Sequence, residues 1–202
     1  VEIEQLNDLY EGSGLTWLAP LGFDNSYRVV MRNDVAMTEG IVAIEDLQAV
    51  DGGIRIACPG EFLRRPADGM SAALRRHGLA LAQEPLVVED SVDRVYALME
   101  GKVDVAVTYA TDGVMTDSRL TVLEDRLAFF PPYEAAFLAR SESLENLPDL
   151  GAQLRQLGGR IGEDAMRSMN FAVQVEGEAP RAVAARFLRD EGLLAPPGTS
   201  GL

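Results

Sequence analysis

Phe129-Phe130-Pro131-Pro132-Tyr133 is the stretch on which the fold turns. Two consecutive prolines fix two φ angles and remove two backbone donors. The segment is therefore expected to be a stiff extended crossing, neither a helix nor a central strand. It follows a charged run, Glu124-Asp125-Arg126, and precedes an apolar one, Ala135-Ala136-Phe137-Leu138-Ala139. Such a crossing can bury its aromatics as core, or it can hold the Tyr133 ring at a fixed place.

Upstream of the crossing, strand and helix signals alternate. Residues 27–32 read as a strand, and Asp34 opens a short helix that Gly40 ends. Residues 44–50 form a second short helix, and 54–58 an apolar buried strand. Pro66 suits the first position of a helix running to His77, with Gly78 as its stop. Residues 85–89 form a strand. Ser91 is a plausible N-cap for a helix whose apolar face would be Val92, Val95, Tyr96 and Met99. Residues 103–109 form an apolar strand. This alternation predicts an α/β unit with a largely parallel sheet.

At the start of the chain, residues 4–10 suggest a short helix, 15–18 a strand, and Pro20-Leu21-Gly22 a turn or linker. Beyond 109, strands are expected at 120–123 and 135–140. Helices are expected near 150–157, 164–171 and 180–193. The Pro- and Gly-rich end, 195–201, is expected to be disordered.

Composition narrows the function. The chain has 202 residues, 47% hydrophobic and 25% charged, as in an ordinary soluble globular protein. A net charge of −14 argues against a nucleic-acid partner, which needs a basic face. No apolar run reaches the roughly 18–20 residues that span a bilayer. The opening Val1-Glu2-Ile3-Glu4 reads as the middle of a protein, as if a leader had been removed or the chain were a fragment. One cysteine and one histidine exclude an internal disulfide and a zinc cluster, and no metal or cofactor is expected. Cys58, in an apolar strand, is expected in the core. His77, at a helix C-terminus, is expected to be structural.

Catalytic signatures are missing: there is no Gly-x-Ser-x-Gly elbow, no phosphate loop and no His-Glu-x-x-His. Asp112-Gly113 after a strand reads as a turn. An enzyme using Asp112 or Glu61 as acid/base would need a second convergent group, so the chain is not expected to be an enzyme. Tyr109 ends a strand, where open α/β sheets place ligands. Tyr27 opens a strand, and Arg65 precedes Pro66 at the expected helix start. Three tyrosines and an arginine fit a ligand with a quaternary ammonium at one end and a carboxylate at the other. Strand-end tyrosines kept for packing fit as well.

Five runs in order add a resemblance. They are Phe23-Asp24-Asn25-Ser26-Tyr27, residues 61–69 (Glu-Phe-Leu-Arg-Arg-Pro-Ala-Asp-Gly), residues 103–113, Leu123-Glu124-Asp125, and Phe130-Pro131-Pro132-Tyr133. With them the chain resembles the substrate-binding proteins of ABC-type glycine betaine/choline (osmoprotectant) importers. The resemblance implies a two-lobed, type II periplasmic-binding-protein-like α/β fold. It implies Tyr27, Tyr109 and Tyr133 as tyrosines of a box around a trimethylammonium. Asn25 would turn its backbone carbonyl to the cation, and Arg65 would take a betaine carboxylate. It further implies an extracytoplasmic protein whose signal segment is not in this chain, with an ABC permease as partner. Family members begin with a further segment that this chain does not match. Residues 27–124 are accordingly expected as a complete second lobe, and 1–26 with 125–202 as a partial first lobe. That partial lobe is expected to self-associate or to be poorly ordered. A ligand-sensing effector domain of a transcription regulator, with a similar two-lobed fold, is the alternative.

Overall fold

A computed structural model describes residues 3–195. In chain order, α1 (Ile3–Leu9) leads to β1 (Leu15–Asp24), β2 (Tyr27–Arg32), α2 (Asn33–Glu39) and a 3-10 turn (Ile44–Ala49). There follow β3 (Ile56–Cys58), α3 (Gly60–Arg64), α4 (Met70–His77), β4 (Leu86–Val87), α5 (Ser91–Met99), β5 (Val105–Tyr109) and β6 (Leu120–Val122). After the double proline come β7 (Glu134–Arg140), α6 (Ser141–Asn146), α7 (Pro148–Arg155), α8 (Glu163–Gln174) and α9 (Pro180–Asp190). The expected disorder of the terminal stretch lies, beyond Ala195, outside the described residues. Among the described residues no helix is long and apolar enough to cross a membrane.

The chain divides into two compact units, Ser26–Pro132 and the remainder, Val1–Asn25 with Tyr133–Leu202. Residues 125–132, which the sequence suggested for the first lobe, fall in the second unit. Their side chains account for this. Phe129 packs edge-on against His77 at 5.4 Å, and Phe130 lies 5.9 Å from Tyr27 and 6.2 Å from Phe62.

In the second unit the sheet order is β4-β3-β5-β2-β6. β3 is parallel to β4 and β5, whereas β2 is antiparallel to both β5 and β6. The alternation of elements thus gave a largely parallel sheet, with one strand inserted in reverse. The centre of the sheet is dry: Val30, Ala57, Val105, Ala106 and Val107 are fully buried. Cys58 is buried with them, and burial pushes its thiol up to about 11.

Three local expectations are corrected here. The helix ending at His77 begins at Met70 and not at Pro66. Residues 65–69 form a turn that Gly69 closes, with Gly69 O accepting from Ala73 N. A side chain cannot replace Gly69, because an added Cβ would fall 2.4 Å from the carbonyl oxygens of Phe62 and Arg65. Arg65 therefore caps the C-terminus of α3 and does not mark a helix start. On α5 the cap is Asp90, whose carboxylate accepts from the amides of Val92 and Asp93. The buried stripe is Ser91, Arg94, Val95 and Leu98, one residue off the apolar one, and Tyr96 is exposed. Arg94 moves the stripe: fully buried, it donates to the carbonyls of Val88 and Glu89 at 2.9 and 2.7 Å.

In the first unit β1 pairs antiparallel with β7, from Leu15 opposite Arg140 to Asp24 opposite Glu134. Pro20-Leu21-Gly22 is no turn but the irregular middle of β1, with register shifts on both sides of Pro20. Proline is tolerated because β1 lies at an edge and its carbonyls face a loop. Pro20 O and Leu21 O accept from the amides of Gly159 and Ile161. Gly22, at φ +116, sits so close to the Gly159 and Ile161 backbone that an added Cβ would meet it at 3.1 Å. The short helix α6 was not foreseen.

Leu98, 1% exposed, packs with Val30, Ala57, Val103 and Ala106. Leu98→Ala is expected to cost about 2–5 kcal/mol through the cavity it leaves. Urea unfolding followed by circular dichroism measures the loss.

Candidate functional site

The reversed strand creates the site. Because β2 runs against β5, its first residue lies beside the last residue of β5, and Tyr27 stands opposite Tyr109 in the ladder. Cross-strand partners share a face of the sheet, so the two rings meet. Their centroids are 5.1 Å apart and their planes tilted by 30°. β3 runs with β5, so it ends at the same edge, and α3 follows it there after Pro59. That brings Glu61 to both phenols. Tyr27 Oη and Tyr109 Oη each donate to Glu61 Oε1, the second at 2.7 Å.

Each group shifts as this contact requires. The two tyrosine hydrogen bonds hold the Glu61 carboxyl below its usual range. Burial, followed by the bond to Glu61, pushes Tyr109 up to about 12. The same causes push Tyr27 higher still. At neutral pH the site is one carboxylate held by two neutral phenols.

Arg65 stands at the side of this cluster. Its Nε and Nη2 donate to Asp68 Oδ1 and Oδ2 at 2.8 and 2.7 Å, a two-point contact that fixes the plane of the guanidinium. The guanidinium carbon lies 5.6 Å from the Tyr27 ring centroid, within cation–π reach. Tyr27 is 2% exposed and also packs edge-on against Phe62 at 5.0 Å. Tyr109 is only half-buried. Asp112 serves as turn and brace: its Oδ2 accepts from Tyr109 N at 2.9 Å and lies 3.7 Å from Arg94 Nη2.

Tyr133 and Asn25 belong to the first unit. Asn25 N donates to Tyr133 O at 3.0 Å, and Tyr133 N to Asp24 Oδ1 at 2.6 Å. In sequence both adjoin the two points where the chain passes from one unit to the other. In the second unit the passing segments are tied by Ser26 Oγ, which donates to Pro131 O at 2.7 Å.

Among the residues anticipated from sequence, the structure brings Tyr27, Tyr109 and Arg65 together in one unit. It joins Asn25 to Tyr133 in the other. Glu61 was missed as a site residue. The signal available was its place in the run 61–69, one turn before the arginine.

The tyrosine shifts give a pH dependence. Tyr109 holds its proton more tightly when folded, so its stabilising contribution is complete below its ordinary value of 10.0 and is lost as the pH rises through about 12. Glu61 acts oppositely: its contribution is present above the ordinary carboxylate range and lost as the pH falls below it. In an alkaline titration followed by the tyrosinate ultraviolet band, Tyr109→Phe is expected to remove a component ionising near pH 12.

Comparison with known proteins places the chain in a family. A family model described as the substrate binding domain of an ABC-type glycine betaine transport system matches residues 3–190. A glycine-betaine-binding protein of Pseudomonas aeruginosa is 32% identical over 199 residues, covering 94% of this chain and 64% of that protein. The carnitine transport binding protein OpuCC of Listeria monocytogenes is 29% identical over 175 residues, covering 86% and 56%. The chain thus spans between about half and two thirds of the length of these relatives. A crystal structure titled as a glycine betaine/carnitine/choline ABC transporter superposes with a TM-score of 0.74 at 27% identity, over 93% of this chain and 68% of that one. The fold is the type II periplasmic-binding-protein fold. Since the family match runs through nearly all of the described residues, the chain belongs to the family of substrate-binding domains of ABC-type glycine betaine transport systems.

Proposed function

We propose that the chain is the ligand-holding part of an extracytoplasmic solute-binding protein, which takes up a quaternary ammonium osmoprotectant and delivers it to an ABC permease. The observation that carries this is the Tyr27–Tyr109 pair with Glu61 at its hydroxyls. A quaternary ammonium has no N–H to donate, so it is recognised by ring faces and by a nearby negative charge. Each ring face over a desolvated cation contributes about 0.5–2 kcal/mol. Glu61 supplies the charge. Tyr133 and the carbonyl of Asn25 are proposed as further ligand contacts on the family resemblance. Arg65, its plane held by Asp68, would meet the carboxylate of a betaine or of carnitine.

Calorimetry with choline, glycine betaine, carnitine and proline betaine tests the assignment. Arg65→Ala is expected to weaken the carboxylate ligands by roughly tenfold to 100-fold, the worth of a charge-assisted contact, and to leave choline nearly unchanged. Glu61→Gln and Tyr109→Ala are expected to weaken all four ligands. Equal losses for choline and glycine betaine in Arg65→Ala would make the arginine structural.

The first unit is read as a partial lobe. Among the described residues β1 and β7 pair only with each other. α8 and α9 line an apolar groove of about 340 Å³ with Met166, Met169, Val173, Val183 and Phe187. An open strand edge beside an apolar groove favours association with a second copy. Size-exclusion chromatography with light scattering is expected to show a dimer or larger species. A monomer at every concentration would count against the partial-lobe reading.

A further inference from the structure

His77 ends α4 with its side chain completely buried. Two carboxylates meet the ring from other elements. Glu45, from the 3-10 turn, places Oε1 3.2 Å from Nδ1. Asp125, from the segment after β6, places Oδ1 3.9 Å from Nε2. One ligand atom of each residue lies within 4.8 Å of the others. Phe129 covers the ring.

Two of these contacts differ in kind. At 3.2 Å the Nδ1–H can be donated to Glu45, and this fixes the tautomer. Nε2 is then left with a lone pair. Nε2 and Asp125 Oδ1 are both buried and have no hydrogen-bond partner among the described residues. A buried polar atom without a partner costs about 1–3 kcal/mol. Two acceptors near each other, too far apart for a hydrogen bond, are the arrangement a cation fills. With bonds of roughly 2.0–2.2 Å at a tetrahedral angle, zinc holds two ligand atoms about 3.3–3.6 Å apart, so the 3.9 Å pair has to close slightly on binding. A carboxylate that takes the far N–H of the ring is the usual brace of a metal-binding histidine. Glu45 and Asp125 keep 23% and 20% of their side chains exposed, so the buried ligand atoms lie just beneath the surface. The neighbouring Arg126 is paired elsewhere, its Nε 3.0 Å from Glu124 and its Nη1 3.8 Å from Asp46, though its charge also reaches Glu45.

We propose that Glu45, His77 and Asp125 form a site for a divalent cation of zinc type. His77 and Asp125 bind the metal and Glu45 holds the ring by its Nδ1–H. The sequence reading assigned no metal, because a lone histidine carries no ligand spacing; its carboxylate partners stand 32 and 48 residues away in the chain. The site reaches the aromatic cluster directly. Asp125 Oδ2 accepts from Phe130 N at 2.9 Å, Phe129 packs on His77, and Phe130 packs on Tyr27. A bound cation would pin the segment that backs the Tyr27 ring.

The test uses the fact that His77 is the sole histidine. In the 202-residue chain, freed of any histidine tag and stripped with chelator, the imidazole nitrogen signals in NMR report this ring alone. Added zinc chloride is expected to move the Nε2 signal with one-to-one stoichiometry at micromolar concentrations. Asp125→Asn, nearly isosteric, is expected to weaken that response at least tenfold while circular dichroism stays native. Glu45→Gln is expected to weaken it less. Ring signals unmoved while calorimetry records zinc binding would place the metal on surface carboxylates and overturn the proposal. So would an unchanged response in Asp125→Asn, or a ring protonated on both nitrogens that ignores zinc.

Discussion

The antiparallel pairing of β2 with β5 is the constraint on which the second unit depends. β3, β4, β5 and β6 run one way, and β2 enters between β5 and β6 in the opposite sense. The reversal follows from how the strand is reached. β2 arrives from the first unit and not from a crossover helix on the sheet. The start of β2 therefore lies at the edge where β3 and β5 end. Tyr27, Tyr109 and Glu61 come from stretches more than thirty residues apart in sequence and meet because that edge is shared. A slip of one residue in the β2–β5 register would send Tyr27 to the opposite face and dissolve the cluster.

The edge is stiffened by polar groups that the core has taken in. Arg94 is wholly buried in α5 and holds the carbonyls before the helix while facing Asp112. Asp112 in turn holds the amide of Tyr109. Glu89 Oε1 accepts from Gly60 N at 3.0 Å and fixes the start of the helix that carries Glu61. A buried charge kept by several partners resists displacement, because removing one partner leaves the others exposed to the full desolvation penalty. The tyrosine pair thus rests on a frame that packing and charge fix together.

Much of this was legible in the sequence, and the failures have particular causes. Strand and helix positions from Tyr27 to Tyr109 followed from alternation and from Gly or Pro punctuation. So did the extended crossing at residues 129–133. The helix stripe on α5 was misplaced because a buried arginine reads as polar, and hydrophobic periodicity cannot see a charge that two carbonyls and Asp112 hold inside. Pro20 read as a turn because proline interrupts a ladder. At an edge strand bonded to a loop, the missing N–H costs nothing. The run 65–69 read as a helix start on the strength of Pro66, whereas the carbonyls crowding Gly69 fix a turn there. Tyr27, Tyr109 and Arg65 were accessible because strand ends and the family pattern mark them. Glu61 was not, because a carboxylate that accepts from two phenols looks, in sequence, like any first-turn acid.

The double proline joins these observations. Its two rings lie exposed, while Phe129 and Phe130, just before it, face inward. One phenylalanine packs on His77 and the other on Tyr27. Ala128, at φ +47, turns the chain so that both can do so. A residue with a Cβ adopts that conformation at some cost, and the surrounding contacts must hold it there. Here the Asp125 carbonyl accepts from Ala128 N and its carboxylate from Phe130 N. The crossing is therefore more than a stiff connector. Its first half is core that backs a tyrosine of the site. Its second half, with φ fixed by two prolines, carries the chain to Tyr133. The rigidity read first from the prolines reaches the site through the phenylalanines beside them.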